Sequence, residues 1–313
     1  MQTWHYILRK CPATFNNINA LQAPRPVYCS SRALRRRPTW PWDRGSRPIL
    51  ALCSKPPKSQ TALRLLGGDE CDQLSEPVAI SKNLHGIALS SSAELEAFIQ
   101  RIVPLKMISR RMLKSRTFGY VTAALPGLEA FLMLERLRIL SGDGALKDNY
   151  VVVDGPASGS AIELLSVADG IKGIAPGGTL HRLGAAVESF LTDGARFGVA
   201  LTVTPEEMAV REAIETSAAL KNRLGIKWIV AILNCTSKVI FDAADVAALT
   251  AFRSHADLAE RRNRVGEFTI VARDHLKEAG LDVIELPALF VPELGKPEAG
   301  QLADRFEKFI AAE

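Results

Sequence analysis

The chain has 313 residues, 47% of them hydrophobic and only 6% aromatic, a balance that suits an α/β globule with an aliphatic core. No uninterrupted apolar run reaches the roughly 18–20 residues of a membrane-spanning helix, so the sequence reads as that of a soluble, cytoplasmic protein. The net charge of +5 is uneven: residues 1–60 hold 11 Lys+Arg against the single acid Asp43, and the remainder holds 28 Lys+Arg against 33 Asp+Glu. A mildly acidic body without a basic, aromatic-interleaved stripe argues against a nucleic-acid partner.

The first 45 residues differ in character from the rest of the chain. "SSRALRRRPTWPWDRGSR" is rich in Arg and Pro and has neither helical nor strand periodicity. Residues 1–60 hold three of the four tryptophans but only one of the 22 glycines, Gly45. A basic, acid-poor, serine-bearing head fits an organellar transit peptide. A disordered extension or a wrongly assigned start is the plainer reading of the same composition. Residues 1–45 are therefore expected to stand apart from a domain spanning 46–313.

From "RPILALCS" the pattern becomes regular, with a strand expected at Ile49–Leu52 and a short helix through Leu63, Leu65 and Leu66. Residues 92–140 read as a helical subdomain, because Leu95, Phe98, Ile99 and Ile102 share one face at 3.6-residue spacing and Pro126-Gly127 makes a break. After Tyr150, strands "YVVVD", "FGVALTV", "WIVAILN" and "LDVIEL" alternate with segments that read largely as helix. Consecutive apolar runs, instead of strict alternation, predict a parallel sheet covered on both faces. The strands at 151–153, 199–203 and 229–233 are expected side by side.

Asp154 closes the first of these strands, and "GPASGS" follows it into a helix. In such sheets ligands bind at the carboxyl ends of strands. A carboxylate there can hold Mg²⁺ opposite a nucleotide's phosphates. Gly155, Ser158 and Gly159 permit a tight turn whose N–H groups can approach a phosphate. An Asp that merely caps the next helix explains the same residues. In "LTVTPEEMAVREA", Thr204 reads as an N-cap, Pro205 as the first helical position and Glu207 as the partner in a capping box. Asn234, at the end of "AILN", offers a donor and an acceptor to an adenine edge. The loop "LPALFVPELGKPEAG" can present Pro287, Leu289 and Phe290 to a base, and a helix carrying Leu302, Phe306, Phe309 and Ile310 follows it. If one nucleotide joins these groups, Asp154 and Asn234 lie within about 15 Å, its reach in an ordinary pocket.

The cysteines (Cys11, Cys29, Cys53, Cys71, Cys235) are odd in number and form no CxxC. The histidines (His5, His85, His181, His255, His275) form no HExxH. By spacing alone, neither a disulfide framework nor a zinc site is expected.

Four stretches in order, "VVVDGPASGSAIELL", "TVTPEEMAVREA", "AILN" and "LPALFVPELGKPEAG", resemble the arsenical-pump (ArsA-type) anion-transporting ATPases, a family that includes the tail-anchored-protein targeting ATPase. The helical stretch "SRRMLKSRTFGYVTAALPGLEAFLMLERL" resembles the helical insertion of the bacterial members. The resemblance covers about residues 47–313. It implies a deviant P-loop NTPase-like fold that binds and hydrolyses ATP with Mg²⁺ and switches as a homodimer. An apolar or membrane-protein client is a further implication. Asp154 would then be the Mg²⁺-side aspartate, acting through water, and Gly155–Gly159 the switch turn. Asn234, Pro287, Leu289 and Phe290 would read adenine. Two departures stand out. Ser160 replaces the family's switch histidine, and no GxxxxGK[ST] phosphate loop occurs, since the one Gly-Lys pair, Gly295-Lys296, precedes Pro297. The absence of that loop implies slow or no hydrolysis. It opens the alternative of a pseudo-ATPase, a binding or regulatory subunit paired with an intact paralogue.

Overall fold

A computed structural model describes residues 4–8, 49–53, 78–81, 84–89, 94–98, 127–142, 151–155, 158–174, 177–249, 253–291, 295 and 297–304. The expected helix near residues 63–66 lies outside the described residues, as do Ile99, Ile102, Phe306, Phe309 and Ile310.

Among the described residues eight strands form one sheet: β1 (Trp4–Leu8), β2 (Ile49–Cys53), β3 (Val78–Ser81), β4 (Leu84–Ala88), β5 (Val151–Gly155), β6 (Phe197–Val203), β7 (Ile229–Thr236) and β8 (Asp282–Pro287). The helices are α1 (Leu128–Gly142), α2 (Ser158–Ile174), α3 (Gly178–Thr192), α4 (Glu207–Leu224), α5 (Ala243–Ala248) and α6 (Arg253–Glu278). Shorter helical segments cover 94–98 and 297–304. The spatial order is β3-β4-β2-β5-β1-β6-β7-β8. Strands β4, β2 and β5 run parallel, as do β6, β7 and β8. The chain is thus an α/β protein with helices flanking parallel strands.

Apolar runs build the two sheet faces. Val151, Val153, Val199, Leu201, Ala231, Leu233 and Val283 belong to the larger core, with Phe131 and Leu132 of α1, Leu165 of α2, Phe190 of α3, Leu220 of α4 and Leu276 of α6. The alternate residues Ala200, Val230, Ile232, Ile284 and Leu286 form a second cluster against Trp228 and Leu302. Both faces of β6–β8 are therefore covered, which is why these strands read as continuous apolar runs. The break before α1 falls at Gly127, whose φ of +84° suits a residue without a Cβ. Leu95 and Phe98 of the 94–98 segment are buried in the larger core, in keeping with their helical spacing. Strands β3 and β4 escape sequence reading because they are short, and the first carries no run longer than Val78-Ala79-Ile80.

Two expectations fail at one place. Residues 4–8 do not stand apart from the body: β1 lies in the middle of the sheet, antiparallel to both β5 and β6. Strands β5 and β6 are consequently not neighbours, whereas β6 and β7 are. "WHYIL" is a β-branched and aromatic-rich pentapeptide with an affinity for strand. The composition of the 45 residues around it conceals that. The rest of the head lies outside the described residues.

The start of α4 also differs from expectation. Its N-cap is Glu206, which makes no side-chain cap bond, and the Glu206 N–H donates to the Thr204 carbonyl (2.8 Å). That tight turn delays the helix by two residues, so Thr204 and Glu207 form no capping box. Glu207 instead pairs with Arg211 one turn on (2.9 Å).

Candidate functional site

Asp154 sits one residue before the end of β5 and is half-buried. Its strand neighbours are Cys53 of β2 and His5 of β1. His5 in turn pairs with Ala200, and Ala200 with Val230. Asp154 therefore stands level with the middle of β6 and with the beginning of β7. The staggered ends matter, because β6 and β7 continue well past the level at which β5 stops.

Asn234 lies four residues beyond Val230 along β7. With three strand spacings between β5 and β7 and about 3.3 Å per residue, Asp154 and Asn234 are about 20 Å apart at their Cα atoms. The expected separation of about 15 Å is not met. Two things contribute: the four-residue stagger along β7, and β1, whose insertion adds one strand spacing between the two halves of the sheet.

The turn after Asp154 leads from buried Gly155 through Pro156 and Ala157, which lie outside the described residues, to α2. Ser158 is buried, and its Oγ donates to Glu212 Oε1 on α4. Gly159 and Ser160 are exposed, and a Cβ on Gly159 would meet nothing within 4 Å. The first turn of α2 thus faces a carboxylate supplied by the protein. Glu212 was not singled out from sequence, since nothing in a 54-residue separation links it to Ser158.

The other half is assembled at the carboxyl ends of β7 and β8. Leu233 is level with Glu285, and Thr236 with Pro287, so Asn234 and Cys235 share the span of one residue, Leu286. The resulting bulge puts Cys235 at a φ of +58° and leaves it exposed. Thr236 Oγ1 donates to the Leu286 carbonyl (3.1 Å), and the Ala288 N–H donates to the Thr236 carbonyl (3.0 Å). Asn234 is thereby placed beside the Pro287–Phe290 loop. Pro287 and Leu289 are half-buried, while Phe290 is 80% exposed. The Arg262 guanidinium lies 5.1 Å from the centre of the Phe290 ring and donates to Ser237 Oγ. Thr269 of the same helix accepts the Ser237 N–H (3.1 Å). Helix α6 is therefore tied to the strand end by two side chains that sequence periodicity does not distinguish from solvent-facing residues.

The residues expected to hold ATP and Mg²⁺ form two separate groups. One is Asp154 with the Gly155–Gly159 turn, and the other is Asn234 with the loop at 287–290. Ser158, the first residue of α2, already has a carboxylate partner in Glu212.

An α/β fold with ligand-type residues at the carboxyl ends of its strands is the class that these observations define. Comparison with protein-family models and with curated proteins finds no match for this chain. Among the described residues, no helix is long and apolar enough to cross a membrane.

Proposed function

We propose that this chain is a non-hydrolysing relative of the ArsA-type ATPases: a P-loop NTPase-like scaffold that serves as a binding or regulatory subunit and pairs with a second ATPase-like chain. The observation that carries this reading is the Ser158–Glu212 bond at the start of α2. A helix N-terminus attracts anions through its free N–H groups and dipole. Here Glu212 already takes the Ser158 hydroxyl in the first turn, and a γ-phosphate approaching that turn would meet a like charge. The missing GxxxxGK[ST] loop supports the same reading. An active ATPase is the weaker reading, because it needs both a phosphate cradle and a shorter path from Asp154 to Asn234.

The test combines phosphate release with equilibrium binding of ATP and ADP in the presence of Mg²⁺. No release above background is expected, and any affinity should be equal for the two nucleotides, because no group is left to grip the γ-phosphate. Glu212→Gln should raise affinity for inorganic phosphate and for ATP relative to ADP. Mg²⁺-dependent turnover at about 1 s⁻¹ or faster, within the ordinary range of enzymes, would refute the proposal.

A further inference from the structure

Helix α6 packs on β7, β8, α4 and α5. It meets them mostly through small residues: Ala256, Ala259, Gly266, Thr269 and Ala272 are buried, and among its described residues Leu276 is the one large apolar side chain turned inward. At Gly266 the approach is so close that a Cβ would stand 2.5 Å from the Val239 backbone nitrogen. The larger apolar residues face outward instead. Leu258 is 63% exposed and Phe268 54%, and Val265, Ile270 and Val271 are exposed as well. A surface helix ordinarily turns its large apolar residues to the core. Leu258 and Val265 are two turns apart, and Phe268 and Val271 follow at three-residue steps, so these four form one stripe along the outer side of the helix. Five of the ten exposed large apolar side chains among the described residues lie on α6, which sets the stripe apart from singly scattered surface residues.

The charges beside the stripe are of both signs. Arg261 and Arg264 stand in its amino-terminal half, Glu267 just past its middle, and Asp274 and Glu278 towards its end, all exposed. Among the described residues neither Arg264 nor Glu267 has a hydrogen-bond or ion-pair partner. This mixture does not suit an anionic lipid surface, which takes a basic face.

We infer that the outer face of α6 binds a second copy of this chain, with the two helices antiparallel about a two-fold axis beside Gly266. Such an axis makes the contact self-complementary. It sets Val265 against Phe268 of the other copy and Leu258 near the other copy's Val271, so each apolar residue covers another. It also brings Arg264 opposite the other copy's Glu267, twice, and gives both ions the partner they lack. A parallel pair would set Arg264 against Arg264 and Glu267 against Glu267. The Arg261 guanidinium falls by the other copy's Phe268 ring, a cation–π arrangement. Size fixes the strength. With 26 residues α6 is about 39 Å long, and at about 10 Å wide two facing helices bury about 800 Å² in total. That is the low end for a specific contact, so the pairing is reversible, with a dissociation constant of about 10 µM. The interface uses neither Asp154 nor Asn234 and stands or falls independently of the nucleotide reading.

The experiment is sedimentation equilibrium of the full-length chain over about 1–200 µM, a range that brackets this constant. The average mass should rise from 34.0 kDa towards twice that value. Phe268→Asp should weaken association at least about tenfold, since central aromatic residues dominate such contacts. Its urea midpoint should stay where it is, because the position is exposed. Arg264→Glu and Glu267→Arg should each weaken association and the double reversal should restore it, a recovery that loss of folding cannot produce. Met208→Asp, at an exposed position of α4, should leave association unchanged. A chain that stays monomeric or assembles beyond a dimer would overturn the proposal. So would a dimer indifferent to Phe268→Asp or dissociated by Met208→Asp, or a double reversal no better than the single ones.

Discussion

Replacing Tyr6 by proline is the most direct challenge to the position of β1. Tyr6 is level with Val153 on one side and Val199 on the other, the central rung of a strand hydrogen-bonded along both edges. Proline removes the backbone N–H, orphans one carbonyl in the sheet interior and forces its ring against a neighbouring strand. An unsatisfied buried carbonyl alone costs about 1–3 kcal/mol. Adding the steric displacement brings the loss to about 3–4 kcal/mol, a large fraction of the roughly 5–15 kcal/mol that holds a typical domain together. With a urea m-value of about 3 kcal/mol/M, the unfolding midpoint should fall by about 1 M. Tyr6→Val keeps the N–H and a β-branched side chain, so it controls for loss of the tyrosine ring and should shift the midpoint far less. Far-UV circular dichroism against urea gives the midpoint. Amide exchange at β5 and β6 gives a second reading, because their bonds to β1 should lose protection only in the proline variant. If Tyr6→Pro and Tyr6→Val unfold together and protection of β5 and β6 is unchanged, β1 does not occupy the centre of the sheet. The extra strand spacing between Asp154 and Asn234 would fall with it.

Gly198→Ala should be among the most damaging small substitutions, since its Cβ would lie 1.6 Å from Cε3 of the Trp228 ring that covers this position. The ring must leave its place, at a cost of about 3 kcal/mol and a melting temperature lower by roughly 6–12 °C in calorimetry. Gly170→Ala, in the interior of α2 with nothing within 4 Å of the new Cβ, should instead stabilise by up to about 1 kcal/mol; equal effects of the two would refute the packing argument. Lys172 of α2 donates to Glu188 of α3 and lies 3.3 Å from Asp169. The hydrogen bond to Glu188 is the chief cause of a pKa raised above 10.5. A lysine favoured in its charged form contributes stability that is fully present below its unfolded value and is lost as pH rises through the folded one. Rising from neutral pH, the stability gap between the unmutated chain and Lys172→Met should therefore hold until about pH 10.5 and shrink above it, and a gap that stays constant through the alkaline range would refute this pairing.

Much of the secondary structure was legible in the sequence, because it depends on local chemistry. "ILALC", "VVVDG", "FGVALTV", "IVAILNCT" and "DVIELP" are apolar runs too short for independent helices and bounded by turn residues, and each forms a strand. The covered faces followed from the same runs. The helix after Thr204 was legible in kind but not in its start, since a local hydrogen bond from Glu206 to Thr204 competes with the cap.

Register and strand order were not legible, because they arise from pairing between segments that carry no mark of one another. A five-residue strand near the start of a basic head enters between β5 and β6, and backbone hydrogen bonding there is nearly indifferent to sequence. That one insertion widens the gap between Asp154 and Asn234, which sequence order had suggested for a single ligand. It also sets His5 level with Asp154, across 149 positions of chain. Glu212 reaches Ser158, and Arg262 reaches Phe290, for the same reason: α4 and α6 pack against elements that their own residues do not specify. Periodicity encodes which residues turn inward. Which residues meet is decided by the packing of the whole sheet, where one inserted strand, about 4.8 Å from each neighbour, widens the gap between Asp154 and Asn234 and brings Asp154 level with His5.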